Sequence, residues 1–533
     1  MFSSKENVNN LTAMLISAGI KDIVVCPGSR NAVLVHNFYE ASLLWKSFRL
    51  HSITDERSAS FFAIGIWLAT RKPVAICVTS GSALLNTIPG VAEACYRHIP
   101  LVIISADRPP QWIGQLDGQT IIQPDALYPY AHCIQLDEQP STVTVPAYDP
   151  QTPLHINVPI SEPLFDFNTK KLPTPDFSYF EQWPQYDNGI DKLHEIAALI
   201  NKASLPAVIV GQYEEGPINS LIELDKQDKL LLLPEIISNQ PGAERTAWIE
   251  SVEAEGITMP DLIIHIGGAL VNKWLKIKLR QQSALKVIRV DQTDENPDTF
   301  SHLEIIKVKY NEAKFFDALL PLIEEHECVR NFKKGIATKD IRPSSVKEQA
   351  ISALWHEISN SMTDNGVTVF LGNSTAVRAA SRSCNSGNIP IYCNRGINGI
   401  EGSLSVAAGY SVATDKDVYA IVGDLSFFYD VNALWNPSLK GNLHLLLLND
   451  HRGGIFSRLP GLSSSPALDN FISGQHDANA YGIALSYGCS YLKADSNKGF
   501  LKALKDFIGN NDNKTNKPII LEYDTNLEQD QRF

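Results

Sequence analysis

Val418-Tyr419-Ala420-Ile421-Val422-Gly423-Asp424-Leu425-Ser426 and Leu443-His444-Leu445-Leu446-Leu447-Leu448-Asn449-Asp450-His451-Arg452-Gly453-Gly454 decide the fold. Each is a short apolar run that halts at a polar, glycine-bearing turn. The apolar residues are consecutive rather than alternating, which predicts strands buried on both faces. Such strands belong to parallel sheets covered by helices. The pattern recurs at residues 22–26, 48–53, 73–80, 100–105, 206–210, 229–234, 261–267, 285–291, 367–372, 390–393 and 518–523. Helical stretches of about 10–15 residues separate many of them, as in βαβ units. One long helix is predicted from Asp55 to about Thr70, and another over 190–202. Residues 153–160 read as a sheet-edge segment. The fold class is α/β, with mainly parallel sheets flanked by helices.

At about 100–200 residues per domain, 533 residues predict three domains. The expected division is 1–180, 187–330 and 345–533. The proline-rich stretch at 137–186 reads as that sheet-edge segment followed by an interdomain linker, and a charged helical stretch at 330–350 as the second linker. No short internal repeat is legible. The net charge of −13 argues against a nucleic-acid binder, which needs a basic face to displace counterions. It leaves room for small anionic substrates in a locally basic pocket. The eight cysteines form no CxxC pair, as expected of reduced thiols in a cytoplasmic protein. The N-terminal stretch has no signal-peptide core, and no run approaches the ~18 apolar residues of a membrane span.

In open parallel sheets, ligands bind beyond the carboxyl ends of strands. Asp424 and Asp450 follow two such strands and stand 26 positions apart. Two oxygen side chains so placed can meet at one Mg²⁺, a hard cation that commonly holds a diphosphate as well. Gly423, Gly453 and Gly454 let backbone amides approach phosphate oxygens. Asn449 replaces Asp450 as the ligand if the register shifts by one. Ile266-Gly267-Gly268-Ala269 lacks the full GxGxxG spacing and reads as a tight strand–helix turn. The thirteen histidines show no metal-binding spacing, and His451 reads as an exposed bystander.

The Gly423-Asp424 turn with its spaced Asn-Asp-x-x-Gly resembles the diphosphate-binding motif of thiamine-diphosphate-dependent enzymes. Further motifs narrow the resemblance to one branch of that family, the synthases of menaquinone biosynthesis. They are Cys26-Pro27-Gly28-Ser29-Arg30, Thr54-Asp55-Glu56-Arg57, Ser105-Ala106-Asp107-Arg108-Pro109, Asn394-Arg395-Gly396 and Gly454-Ile455-Phe456-Ser457. The resemblance covers nearly the whole chain. It implies a pyrimidine-binding domain first, a central domain, and a diphosphate- and metal-binding domain last. It also implies a homodimer or homotetramer, with each cofactor held between the first domain of one subunit and the last domain of its partner.

The branch implies decarboxylation of 2-oxoglutarate on thiamine diphosphate, followed by 1,4-addition of the acyl-carbanion equivalent to isochorismate. Glu56 would be catalytic, hydrogen-bonding the aminopyrimidine ring. Pro27, Ile400, Gly423, Asp424, Leu425 and Ser426 would also contact the cofactor, Ile400 as the wedge that bends it. Asp424, Asp450 and the Arg452 carbonyl would hold Mg²⁺ or Mn²⁺. Both substrates are dicarboxylates, and arginine forks suit carboxylates. The matching positions are Arg30, Arg108, Arg378 and Arg395, with Ser29, Gln119, Ser374 and Lys273 as further polar contacts. Ile455, Phe456 and Leu459 would form an apolar wall. Two departures stand out. Leu425 fills a place that is glycine in the wider family, and Asp450 a place that is usually asparagine. Other readings remain open: a different thiamine-diphosphate decarboxylase or carboligase, or a non-catalytic nucleotide-binding protein. A dinucleotide oxidoreductase is disfavoured by the missing GxGxxG.

Overall fold

A computed structural model describes residues 1–138, 151–174, 192–251, 257–293, 295, 297–300, 305–337, 343–360, 366–384, 389–459, 461–509 and 516–526. Three parallel sheets follow one another along the chain. The first contains β1 (Asp22–Val25), β2 (Arg49–Ser52), β3 (Val74–Val78), β4 (Leu101–Asp107), β5 (His132–Gln135) and β6 (Leu154–Pro159), in the order β2-β1-β3-β4-β6-β5. The second contains β7 (Pro206–Val210), β8 (Leu231–Pro234), β9 (Leu262–Ile266), β10 (Lys286–Asp291) and β11 (Ile305–Lys309), in the order β11-β10-β9-β7-β8. The third contains β12 (Val367–Leu371), β13 (Ile391–Cys393), β14 (Asp417–Gly423), β15 (Leu443–Asn449), β16 (Ser490–Ala494) and β17 (Ile519–Asp524), in the order β13-β12-β14-β15-β17-β16. The first and third sheets therefore share one topology, a duplication that the sequence conceals.

The strand register explains the consecutive apolar runs. β3, β4 and β6 are buried at every residue because each has a strand on both sides and packing on both faces. This corrects one reading: β6 is interior, paired with β4 and β5, whereas β5 is the edge. The short, half-exposed β5 and β11 gave no strong apolar run. Much of the proline-rich stretch at 137–186 lies outside the described residues. The helix Glu327–Ala337 sends Val329 and Ile336 into the core beside the second sheet, with Trp248 and Leu275. Gly267 is the expected turn: its φ is +71°, and Gly211 packs so closely that a Cβ there would lie 2.1 Å from the Gly268 carbonyl.

The first and third sheets join through two helices, Glu56–Thr70 and Ser403–Val412. Glycines allow backbone-to-backbone contact. A Cβ at Gly65 would stand 2.0 Å from the Val406 carbonyl oxygen, and one at Gly409 would stand 2.0 Å from that of Phe62. Phe61, Phe62, Leu404 and Val406 are buried in the continuous core that results. Apolar surface removed from water drives this docking at roughly 25 cal/mol per Å². The fit is so close that one added methyl group would prise the helices apart.

Candidate active site

Glu56 opens its helix directly after the cap residue Asp55. Asp55 accepts from the backbone N–H groups of Arg57 and Ser58, at 2.9 and 3.2 Å. Its second oxygen accepts from Asn432 Nδ2 at 2.8 Å, and Arg57 donates to the Tyr429 carbonyl at 2.6 Å. The last third of the chain thus fixes the helix end that carries Glu56. Glu56 itself is half-buried, with Asn86 Nδ2 at 3.4 Å. Burial, reinforced by the Glu56 charge, pushes the nearby Cys26 thiol well up.

After β1, a Cβ at Gly28 would meet Thr79 Cβ at 2.4 Å, so this turn requires glycine. Pro27 and Ser29 are exposed on it, whereas Arg30 is buried. Arg30 Nη1 donates to the Ile160 carbonyl at 3.0 Å and lies 3.2 Å from the exposed Glu162 carboxylate. Burial, then repulsion from Arg108, pushes the Arg30 guanidinium down. Arg108 donates to the Gly118 carbonyl at 3.1 Å, and its buried Nε has no partner. The two guanidiniums repel each other, and each has a carboxylate beside it, Glu162 at 3.2 Å from Arg30 and Asp117 at 3.4 Å from Arg108. Gln119 is exposed on the adjoining loop with φ +58°. Gly81 packs against it and donates its N–H to Gln123 Oε1 at 2.8 Å.

In the third sheet, Asp424 and Asp450 follow the neighbouring strands β14 and β15. Asp424 accepts from Leu425 N at 2.7 Å and from Arg452 N at 2.8 Å. Burial first, and the Asp450 carboxylate second, push its carboxyl up. Asn449 is committed elsewhere: it donates to Glu522 Oε1 and the Ala478 carbonyl and accepts from His451 N. Ser426 Oγ donates to the Ile400 carbonyl at 2.6 Å, which ties the Asp424 turn to the Ile400 loop. His451 is half-buried rather than exposed, 3.3 Å from Asp524.

A cavity of about 430 Å³ opens beside this turn. It gathers Lys273, Arg378, Asp450 and Arg452 with the apolar Ile455, Phe456 and Leu459. Arg378 is pushed down by burial and then by Arg395. Ser374 precedes the helix that carries Arg378 and holds a strained φ of +70°. Arg395 lines a separate cavity of about 1230 Å³ and donates to Asn373 Oδ1 and the Leu270 carbonyl. In the larger cavity Arg97 and Arg289 are paired with Glu214 and Asp291. Among the described residues, Arg30 and Arg108 do not line the smaller cavity.

Sequence reasoning missed several residues here. Glu93 reaches from the first sheet's layer to accept the Gly396 and Ile397 N–H groups, at 3.0 and 2.8 Å. Glu235 accepts those of Val271 and Asn272, just before Lys273, at 3.0 and 2.9 Å. Lys347 pairs with Asp450, and His476 Nε2 lies 3.3 Å from Asp424. All four act across long stretches of chain, so no local motif announces them.

Family models match twice. Residues 7–127 fit the N-terminal TPP-binding domain of thiamine pyrophosphate enzymes, and residues 372–523 fit the C-terminal one. A 2-succinyl-5-enolpyruvyl-6-hydroxy-3-cyclohexene-1-carboxylate synthase from Bacteroides thetaiotaomicron is 35% identical, over 100% of this chain and 98% of its own length. One of the same name from Flavobacterium johnsoniae is 33% identical, over 95% and 93%. The chain belongs to this synthase family. It is a thiamine-pyrophosphate-dependent enzyme. The benzoylformate decarboxylase structure from Polynucleobacter necessarius shares the fold, with a TM-score of 0.73 at 17% identity and 99% coverage of both chains.

The synthase's donor set suits a divalent cation. Among the described residues no cluster of three His, Cys, Asp or Glu ligands exists. Asp424 and Asp450, with the Arg452 carbonyl on the same turn, would offer a partial oxygen set that phosphate and water could complete. Their crowding fits such a cation: the Asp450 carboxylate repels Asp424 and helps push its carboxyl up, although Lys347 already stands beside Asp450 and His476 beside Asp424.

Proposed function

We propose that this chain joins 2-oxoglutarate and isochorismate, releasing CO₂ and giving 2-succinyl-5-enolpyruvyl-6-hydroxy-3-cyclohexene-1-carboxylate. The carrying observation is the cavity beside Asp450, in which Lys273 and Arg378 face the apolar Ile455, Phe456 and Leu459. A dicarboxylate with a carbon ring needs both halves of that lining. Bound thiamine diphosphate supplies the electron sink for decarboxylation. Asp424, Asp450 and the Arg452 carbonyl would hold its Mg²⁺ or Mn²⁺, and Gly423 and Ser426 would contact the diphosphate. Glu56 would hydrogen-bond the aminopyrimidine ring and promote its imino tautomer, while Pro27, Leu425 and Ile400 would confine the cofactor. Arg30, Arg108, Arg378 and Arg395 neutralise substrate carboxylates, with Ser29, Gln119, Ser374 and Lys273 completing their orientation.

The site would be shared between subunits of a homodimer or homotetramer. Large apolar residues stand exposed on the layers of both outer sheets, including Leu116, Ile122, Tyr128, Phe471 and Leu485. They supply the kind of surface a partner covers. Eight unpaired cysteines support a cytoplasmic setting. Among the described residues, no helix is long and apolar enough to cross a membrane. Mass spectrometry of products, with each substrate omitted in turn, tests the reaction. The named product should appear only with both. Turnover of 2-oxoglutarate alone to a released aldehyde, with isochorismate untouched, would instead select a simple decarboxylase.

A further inference from the structure

Lys347 lies in the first turn of the helix Val346–Asn360, where a cation opposes the helix dipole. Its side chain is nevertheless almost entirely buried, at 9% exposure, and its Nζ stands 2.7 Å from Asp450 Oδ2. Buried lysines are rare unless paired. The Asp450 side chain is equally enclosed, at 7% exposure. Gly454 makes the approach possible, because a Cβ there would lie 2.2 Å from Asp450 Oδ2 and 3.9 Å from Lys347 Nζ. The pair forms part of the wall of the 430 Å³ cavity, beside Arg452.

The charges around this point explain why such a pair is built. Asp424 and Asp450 together carry two negative charges into a buried place. A divalent cation balances those two carboxylates alone, and a diphosphate that follows adds further negative charge. Lys273, Arg378 and Arg452 line the same cavity, but Lys347 is the cation in direct contact with Asp450, at 2.7 Å. We propose that Lys347 is a positioning residue for the metal loop. It holds Asp450 by Oδ2, leaves Oδ1 for the cation, and supplies the charge that lets two carboxylates and a diphosphate share one ion. This rests on the reading of Asp424 and Asp450 as the metal site. Removing the lysine charge therefore tightens binding of the bare cation and loosens binding of the diphosphate.

The test uses the full chain freed of cofactor and metal. Calorimetry measures Mn²⁺ alone, then thiamine diphosphate at saturating Mn²⁺, with melting curves to establish folding. Lys347→Met should bind Mn²⁺ about tenfold more tightly and thiamine diphosphate about tenfold more weakly, within the range for residues in contact. Lys347→Arg, which keeps the charge, should stay close to the parent. Lys347→Met combined with Asp450→Asn removes one charge of each sign, leaves no buried unpaired ion, and should return both affinities towards the parent. Equal affinities in Lys347→Met and the parent, or loss of both together, overturns the proposal. So does a double variant no nearer the parent than Lys347→Met. Asp424→Asn separates the two readings. Unchanged Mn²⁺ binding in that variant removes the metal site itself. Lost Mn²⁺ binding, with no effect at Lys347, removes only the role of the lysine.

Discussion

The first and third sheets have one strand order and opposite electrostatics. In both, the third and fourth strands of the unit lie side by side and end at a polar turn. In the third sheet those ends carry Asp424 and Asp450, two carboxylates that repel. In the first sheet the fourth strand ends at Asp107, which is spent internally. Asp107 accepts from Asn157 Nδ2 at 2.9 Å and from the Arg108 N–H at 2.7 Å. Asn157 in turn accepts from Ser105 and Gln123, each at 2.8 Å. The buried acid thus anchors the base of Arg108, and its neighbour Arg30 completes a positive patch. One topology thus leaves two carboxylates crowded at the strand ends of the third sheet, and in the first sheet ties the strand-end carboxylate down behind an arginine.

Glu56→Gln probes the first unit most severely. Removing a positioned acid–base group costs about 10²–10⁴-fold in turnover. Among the described residues the half-buried carboxylate has one long side-chain hydrogen bond, from Asn86 at 3.4 Å, so the melting temperature should hardly move. Turnover within about twofold of the parent would end the proposed role of Glu56, since chemistry that needs the group cannot survive at that level. Arg108→Ala follows. Loss of charge-assisted hydrogen bonds at about 1.5–3 kcal/mol should raise a substrate KM roughly ten- to a hundredfold. Binding of thiamine diphosphate should be unchanged. A cofactor defect without a substrate defect would erase the assignment of the first unit to the substrate anion.

The sequence made the α/β class and most strands legible, because strands buried on both faces leave unbroken apolar runs. β5 and β11 are half-exposed edges and left no such run. β6 was visible as a strand but not as an interior one, since pairing order is not written in a strand's own residues. The Asp424 and Asp450 turns could be read because each sits at its strand end. Lys347, Glu93 and Glu235 could not. Each acts on a loop far away in sequence, and an isolated acid or lysine in a helix or turn normally reads as solvated surface. The identical order of the outer sheets was also hidden, because parallel strands ask only for apolar residues of the right size.

Gly65→Ala tests how tightly the two outer units are coupled. With a carbonyl oxygen 2.0 Å from the new methyl, the helices must separate. Overpacking of this kind costs about 1–3 kcal/mol, seen as a lower urea midpoint. Glu56 should suffer with it, because its helix end is held by Asn432 and Tyr429 across the same seam. Unchanged stability and turnover would show that the units dock less rigidly than the packing implies.

The smallest effect belongs to the middle unit, the control between the two outer sheets. Glu235 is fully buried, and that burial pushes its carboxyl up from 4.5 to about 7. Its folded-state value lies above its unfolded one, so the folded chain holds the proton more tightly. The resulting stability is complete below about pH 4.5 and is lost as pH rises through about 7. Between pH 6 and pH 8 the loss is about 1 kcal/mol. Glu235→Gln keeps the Oε1 acceptor for Val271 and Asn272 but has no proton to lose. Subtracting its urea midpoints from those of the parent at the two pH values isolates this one group from every other titrating side chain. A difference that shrinks with rising pH fits a carboxyl kept neutral by burial. A difference that does not change with pH would mean that Arg395 holds Glu235 ionised throughout, extending the paired charges of the outer units into the middle one.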